Sequence, residues 1–376
     1  MFISAGESSG ELYGALLSRE IKKRWPDALI YGIGGPRMQA EGVTLIAPMS
    51  HLIGLVEVIR HLGEIRATFR KAEQFLTQER PDLLVLIDYP DFNIALAKKA
   101  KAAGIPVLYY VSPQVWAWRR GRVKKIAALV DKMAVLFPFE TAFYEQTGLS
   151  CEFVGHPVME TLDIRGSKEE LKRGLGLDAE KRVISLLPGS RPGELNRHQF
   201  IIMELAEKIT RAFAETQIVL PLASGTEFPA NLPEHVRIFH GRTTEALACS
   251  DAAAVASGTA TLETALLAVP MVVFYRVSPV TFHIAKLLTS VQFISLVNLL
   301  SGKEVVKELL QRDASAVMIF SELKKILHDR VYRNNMISNL RKIRETFQGM
   351  NPSARVAALA GELARWDAPC NSTALR

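Results

Sequence analysis

"DLLVLIDYPDFNIALAKKAK", residues 82–101, decides the fold of this chain. Residues 83–87 are apolar without a break, and an apolar run this short, bounded by a turn signal, is what a strand buried on both faces presents. Pro90 then restricts Tyr89 to non-helical backbone, and the helical pattern "FNIALAKKAK" follows at once. A buried strand leading straight into a helix is the repeating unit of a parallel α/β sheet. Two aspartates, Asp88 and Asp91, stand at the junction. In such sheets ligands bind beyond the carboxyl ends of the strands, so Asp88 belongs to the ligand edge. Asp91 has two readings, ligand contact or cap of the helix that follows; Asp88 precedes the proline turn and is too early to cap.

The same alternation extends in both directions. Strands are expected at "LIYGIGG" (29–35), "VLYYVS" (107–112) and "KMAVLF" (132–137), and the pattern restarts after "FVGHPVMETLD" (153–163). The second series is "VISLLPGS" (183–190), "QIVLPLAS" (217–224), "VRIFHG" (236–241), "AAAVAS" (252–257) and "MVVFYR" (271–276). The expectation is two doubly wound Rossmann-like α/β domains, 1–160 and 161–345, facing a cleft that holds the active site. Residues 346–376 are a terminal helix, returning to the first domain, and a tail.

Of 376 residues, 46 are Lys or Arg and 39 Asp or Glu, and the net charge of +7 favours anionic partners. Three cysteines far apart, with no CxxC or HExxH, suggest neither a disulfide framework nor a zinc site. The opening "MFISAGESSGELYG" is too short in apolar residues for a secretory segment. Residues 252–275 form the longest apolar region, but Glu263 and Pro270 argue against a membrane span, and a buried helix followed by a strand is expected within it.

Two loops fit phosphate. In "LLPGSRPGE" (186–194), Gly189, Ser190 and Arg191 lie between a strand and a helix, where backbone N–H groups and a guanidinium can hold an anion. In "ASGTATLE" (256–263), Gly258 permits close approach, Thr259 and Ala260 open a helix whose N-terminus attracts diphosphate, and Glu263 is placed to take ribose hydroxyls. An ordinary strand-to-helix turn and a plain acidic first turn are the alternatives. Ser8, Ser9 and Gly10 in "GESSGELYG" are candidates for acceptor contact or for a helix cap. "GIGGPR" (32–37) lacks the G-x-G-x-x-G spacing, so a dinucleotide enzyme is disfavoured.

"HLIGLVEVIRHLGEIRATFRKAEQFL" (51–76) carries Leu55, Val56, Val58, Ile59, Leu62, Ile65 and Phe69 on one face, edged by Arg60, Arg66, Arg70 and Lys71. A core-facing helix and an interfacial helix on anionic lipid both present this pattern. Alone, Asn298 in "LVNLL" reads as satisfying a buried backbone group, and His156 in "FVGHP" carries no catalytic claim.

Taken in order, "AGESSGELYG", "GIGGPRMQAEG", "IGLVEVI", "DLLVLIDYPDFN", "YYVSPQVWAWRRGRVKKI", "FVGHP", "LLPGSR", "SDAAAVASGTATLE", "PMVVFYR" and "LVNLLSGKEVVKELLQ" resemble the lipid A disaccharide synthases, bacterial glycosyltransferases. The resemblance runs from residue 4 to about 311. It implies a two-domain GT-B fold and condensation of UDP-2,3-diacylglucosamine with 2,3-diacylglucosamine 1-phosphate into a β-1,6-linked disaccharide and UDP. It also implies site roles for Asp88, Arg191 and Asn298, with Asp88 as base of a metal-independent inverting transfer and no cofactor. Diacylated substrates favour the membrane reading of 55–69, on the cytoplasmic face of the inner membrane. No nucleic acid is expected, and homodimerisation is left open. The rivals are another UDP-sugar enzyme of the fold and a noncatalytic nucleotide-sugar-binding protein.

Overall fold

A computed structural model describes residues 1–48, 62–113, 121–278, 282 and 292–367. The chain forms two compact units, Met1–Glu160 with Gly349–Arg376, and Thr161–Gln348.

In the first unit seven strands, β1 (Phe2–Ala5), β2 (Tyr31–Gly34), β3 (Thr44–Pro48), β4 (Leu84–Ile87), β5 (Val107–Tyr110), β6 (Lys132–Val135) and β7 (Ser150–Phe153), form one sheet in the order β3-β2-β1-β4-β5-β6-β7. Every pairing is parallel. All four residues of β4 are fully buried, and each such side chain removed from water contributes about 1.5–3 kcal/mol, which is why the apolar run takes a central position. The strand order reverses between β1 and β4, where an open parallel sheet leaves a crevice at its carboxyl edge. The helix Pro352–Ala364 packs on the helix Ser8–Arg24 in this unit, so the chain returns to its first sheet at the end.

In the second unit β8 (Arg182–Leu187), β9 (Thr216–Leu222), β10 (Val236–His240), β11 (Ala252–Ala256), β12 (Met271–Tyr275) and β13 (Lys307–Leu310) repeat the plan in the order β10-β9-β8-β11-β12-β13, all parallel. Its reversal lies between β8 and β11. The long apolar region resolves into strand β11, the helix Thr259–Leu266 and strand β12, with the strands where "AAAVAS" and "MVVFYR" place them.

The stripe at 55–69 is described only from residue 62. Leu55, Val56, Val58 and Ile59 lie outside the described residues. In the helix Leu62–Gln78, Leu62 is exposed, but Ile65 and Phe69 pack half-buried against the core of the first unit. Of the membrane-face candidates within the described residues, Ile65 thus has part of its surface against the core and Leu62 does not. Arg66, Arg70 and Lys71 are exposed. Among the described residues no helix is long and apolar enough to cross a membrane.

Candidate active site

Asp88 ends β4 with its backbone in the left-handed region, φ 50°, and Tyr89 follows at φ 47°. Two successive non-glycine residues there cost about 1–3 kcal/mol each and persist only where the surroundings hold them. The hold is visible. The Asp88 carbonyl accepts from Asn93 Nδ2 at 2.7 Å and from the Tyr109 hydroxyl at 2.8 Å, while its N–H donates to the Tyr110 carbonyl at 3.3 Å. Asn93 is itself buried and accepts from Ser4 Oγ at 2.7 Å, which ties the turn to β1. Burial and the nearby Asp88 charge push the hydroxyls of Tyr13 and Tyr109 up, so both stay protonated and able to donate.

β1 lies beside β4 in register, Ala5 opposite Ile87, and brings "GESSG" to the same edge. Gly6 has no alternative here, since a Cβ would stand 2.2 Å from Tyr89 Cγ. Ser8 and Ser9 are the first residues inside the helix Ser8–Arg24, whose cap position is Glu7; they do not cap it, and Ser8 is exposed and Ser9 half-buried. Gly10 is buried, and a Cβ there would meet Ile87 Cγ2 at an ordinary 3.5 Å. Asp91 does not cap either: the cap position is Tyr89, and the Asp91 carboxylate pairs with Arg122 at 2.6 Å.

His156 is buried against Tyr13 and Phe137, and burial holds its pKa down to about 3. Its Nδ1 accepts from the Val158 N–H at 3.2 Å, which fixes the neutral ring with its proton on Nε2.

In the second unit the loop after β8 departs from the expected phosphate cradle. Gly189 takes φ 115°, and a Cβ there would meet Glu194 Oε2 at 2.5 Å. The Glu194 carboxylate accepts from the N–H groups of Ser190 at 3.1 Å and Arg191 at 3.3 Å, so these donors are spent inside the protein. The anion contact of this loop therefore rests on the half-exposed Arg191 side chain, which also approaches Glu194 at 3.5 Å. Glu194 is buried and receives the Tyr275 hydroxyl at 2.8 Å.

The loop after β11 keeps its donors at the surface. Gly258 and Thr259 are exposed, Ala260 is half-buried, and among the described residues no side chain caps the helix Thr259–Leu266. Glu263 accepts from the Thr244 hydroxyl at 2.7 Å, and burial raises its pKa.

Asn298, to which the resemblance gives a site role, is tied into its own unit by its side-chain amide. It is fully buried; Nδ2 donates to the Val306 carbonyl and to Glu308 Oε1, both at 2.8 Å, and Oδ1 accepts from the N–H groups of Val305 at 2.8 Å and Val306 at 3.0 Å. Its hydrogen-bonding capacity is used within the unit. Sequence reasoning missed Asn93, Tyr109, Glu194, His198 and Tyr275; the acid three residues after Arg191, at a helix start, was the available signal for Glu194.

Each unit thus presents loops at the switch point of a doubly wound sheet, one with a rigidly held aspartate, the other with an arginine and an open helix N-terminus. This is the GT-B class of folds, and solved structures share it: the calicheamicin glycosyltransferase CalG4 (TM-score 0.64, 15% identity, 98% of this chain and 99% of that one) and the UDP-GlcNAc 2-epimerase from Neisseria meningitidis bound to UDP-GlcNAc (TM-score 0.63, 10% identity, 95% and 98%). The profile of the lipid-A-disaccharide synthetase family matches residues 1–360, and the chain belongs to that family. The lipid-A-disaccharide synthase of Geobacter metallireducens is 43% identical over 372 residues, covering 96% of this chain and 97% of the relative. That of Geobacter sulfurreducens is 42% identical over 371 residues, with the same coverage of 96% and 97%.

Proposed function

We propose that this chain condenses UDP-2,3-diacylglucosamine with 2,3-diacylglucosamine 1-phosphate, giving the β-1,6-linked tetraacyl disaccharide 1-phosphate and UDP in lipid A (lipopolysaccharide) assembly. The transfer inverts and uses neither metal nor cofactor. Asp88 takes the proton of the acceptor 6-hydroxyl as that oxygen bonds to the donor's anomeric carbon, and the bond from that carbon to UDP breaks on the opposite face. A positioned base of this kind contributes about 10²–10⁴-fold. The first unit supplies the base and the acceptor contacts of Ser8 and Ser9. The second meets the charge developing on UDP with the Arg191 guanidinium and the N–H groups at Gly258, Thr259 and Ala260, and Glu263 takes the ribose hydroxyls. The apolar run that ends at the exposed Leu62, followed by Arg66, Arg70 and Lys71, docks the enzyme peripherally on an anionic membrane surface at the cytoplasmic face.

The observation that carries the reading is the fixing of Asp88, a strained residue held by Asn93 and Tyr109 at the ligand edge. The test is transfer between the two substrates in detergent with EDTA, wild type against Asp88→Asn. Turnover that survives chelation and falls at least a hundredfold in the variant supports the mechanism. Equal activity in both removes Asp88 from the chemistry, and absence of turnover in a wild type that binds UDP supports the noncatalytic reading.

A further inference from the structure

Arg276 follows β12 at the same carboxyl edge as Arg191 and Gly258, and the mechanism above leaves it without a role. Its side chain is half-buried, and Nε donates to the Gln311 carbonyl at 3.0 Å. That carbonyl does not drift: Gln311 N–H donates to Tyr275 at 3.0 Å, and its side-chain amide exchanges bonds with Val277 at 3.0 and 3.3 Å. A guanidinium has five N–H donors, and among the described residues only Nε–H has a partner, with no carboxylate paired to the group. A half-buried cation anchored at one corner, with its two amino groups open, is preorganised for an anion.

The backbone is held as firmly. The Arg276 N–H donates to His198 Nε2 at 3.1 Å, so this neutral ring carries its proton on Nδ1 and donates it to the Pro188 carbonyl at 2.6 Å. His198 is fully buried and joins the loop after β8 to the loop after β12. The Tyr275 hydroxyl on Glu194 makes a second bridge between the same loops. The strands β8 and β12, which precede Arg191 and Arg276, flank β11 and lie about 9–10 Å apart at two strand spacings, and the loop to the helix N-terminus at Gly258 leaves the strand between them.

We infer that Arg276 is a second cationic contact to the diphosphate of the nucleotide sugar, facing Arg191 across the Gly258 helix N-terminus. This rests on the nucleotide-sugar reading of the second unit. Binding of UDP and of UMP is measured by calorimetry for wild type, Arg276→Gln and Arg276→Lys, with thermal melts as the folding control. The glutamine variant is expected to bind UDP about 10- to 100-fold more weakly, the loss of a charged hydrogen-bonding partner, while UMP changes less than about threefold. The lysine variant, a point charge without the fork, recovers part of the loss, and it decides the matter if the glutamine variant does not fold. UDP affinity within about threefold of wild type, or equal losses for UDP and UMP, overturns the inference. A wild type that binds no UDP overturns the nucleotide-sugar site and this inference together.

Discussion

Asn298→Ala separates a structural amide from a catalytic one. The change removes four hydrogen bonds, from Nδ2 to Val306 O and Glu308 Oε1 and to Oδ1 from Val305 N and Val306 N. Val305 is half-exposed and its N–H can turn to water, but Val306 is buried, so its N–H and carbonyl are both stranded. At about 1–3 kcal/mol for each unsatisfied buried group, with the lost packing of the amide added, the cost comes to about 3–5 kcal/mol. For a unit of this size that lowers the melting temperature by about 6–20 °C. Asn298→Asp is expected to be no better, because it places a second carboxylate against Glu308 Oε1. The assay is urea unfolding followed by the second unit's signal, together with transfer activity per folded molecule. A variant within about 1 kcal/mol of wild type whose turnover collapses would refute the structural assignment and return Asn298 to the chemistry.

Gly189→Ala must relieve both φ 115° and a contact of 2.5 Å with Glu194, so a loss of about 1–3 kcal/mol and weaker UDP binding are expected from melting curves and titration. His156 is held neutral by burial, with a folded pKa of about 3 against 6.5. The unfolded chain therefore binds the proton first as pH falls, and this contribution to stability, fully present above about pH 6.5, is lost progressively toward pH 3. By pH 5 the loss is about 2 kcal/mol, and denaturant midpoints of wild type and His156→Gln at pH 7 and pH 5 check it, the variant showing the smaller drop. Replacing Val58, Ile59 and Leu62 by serine is expected to release the protein from anionic vesicles in a sedimentation assay with its melt unchanged; a lowered melt would assign the stripe to the core.

The central strands were legible because burial on both faces requires uninterrupted apolar runs, as in 83–87 and 252–256, and a one-dimensional pattern reports that directly. Strands β3, β7 and β13 lie at sheet edges with half-exposed residues, and their mixed composition hid them. Asp88 could be placed at the ligand edge from the strand, the proline and the helix that follow one another in its own segment. The membership of Ile65 in the core could not, because a stripe of helical period does not say what covers it.

What the order of residues determined by itself is local: which runs are strands, where each turn falls, and so which side chains stand at the carboxyl ends. What only the tertiary structure decided is how the polar groups at those ends are spent. Glu194 takes the donors of Ser190 and Arg191, Asn298 closes on Val305, Val306 and Glu308, and Asn93 and Tyr109 pin Asp88. A buried polar atom must find a partner, and which partner is within 3 Å depends on strands and loops brought side by side from distant parts of the chain.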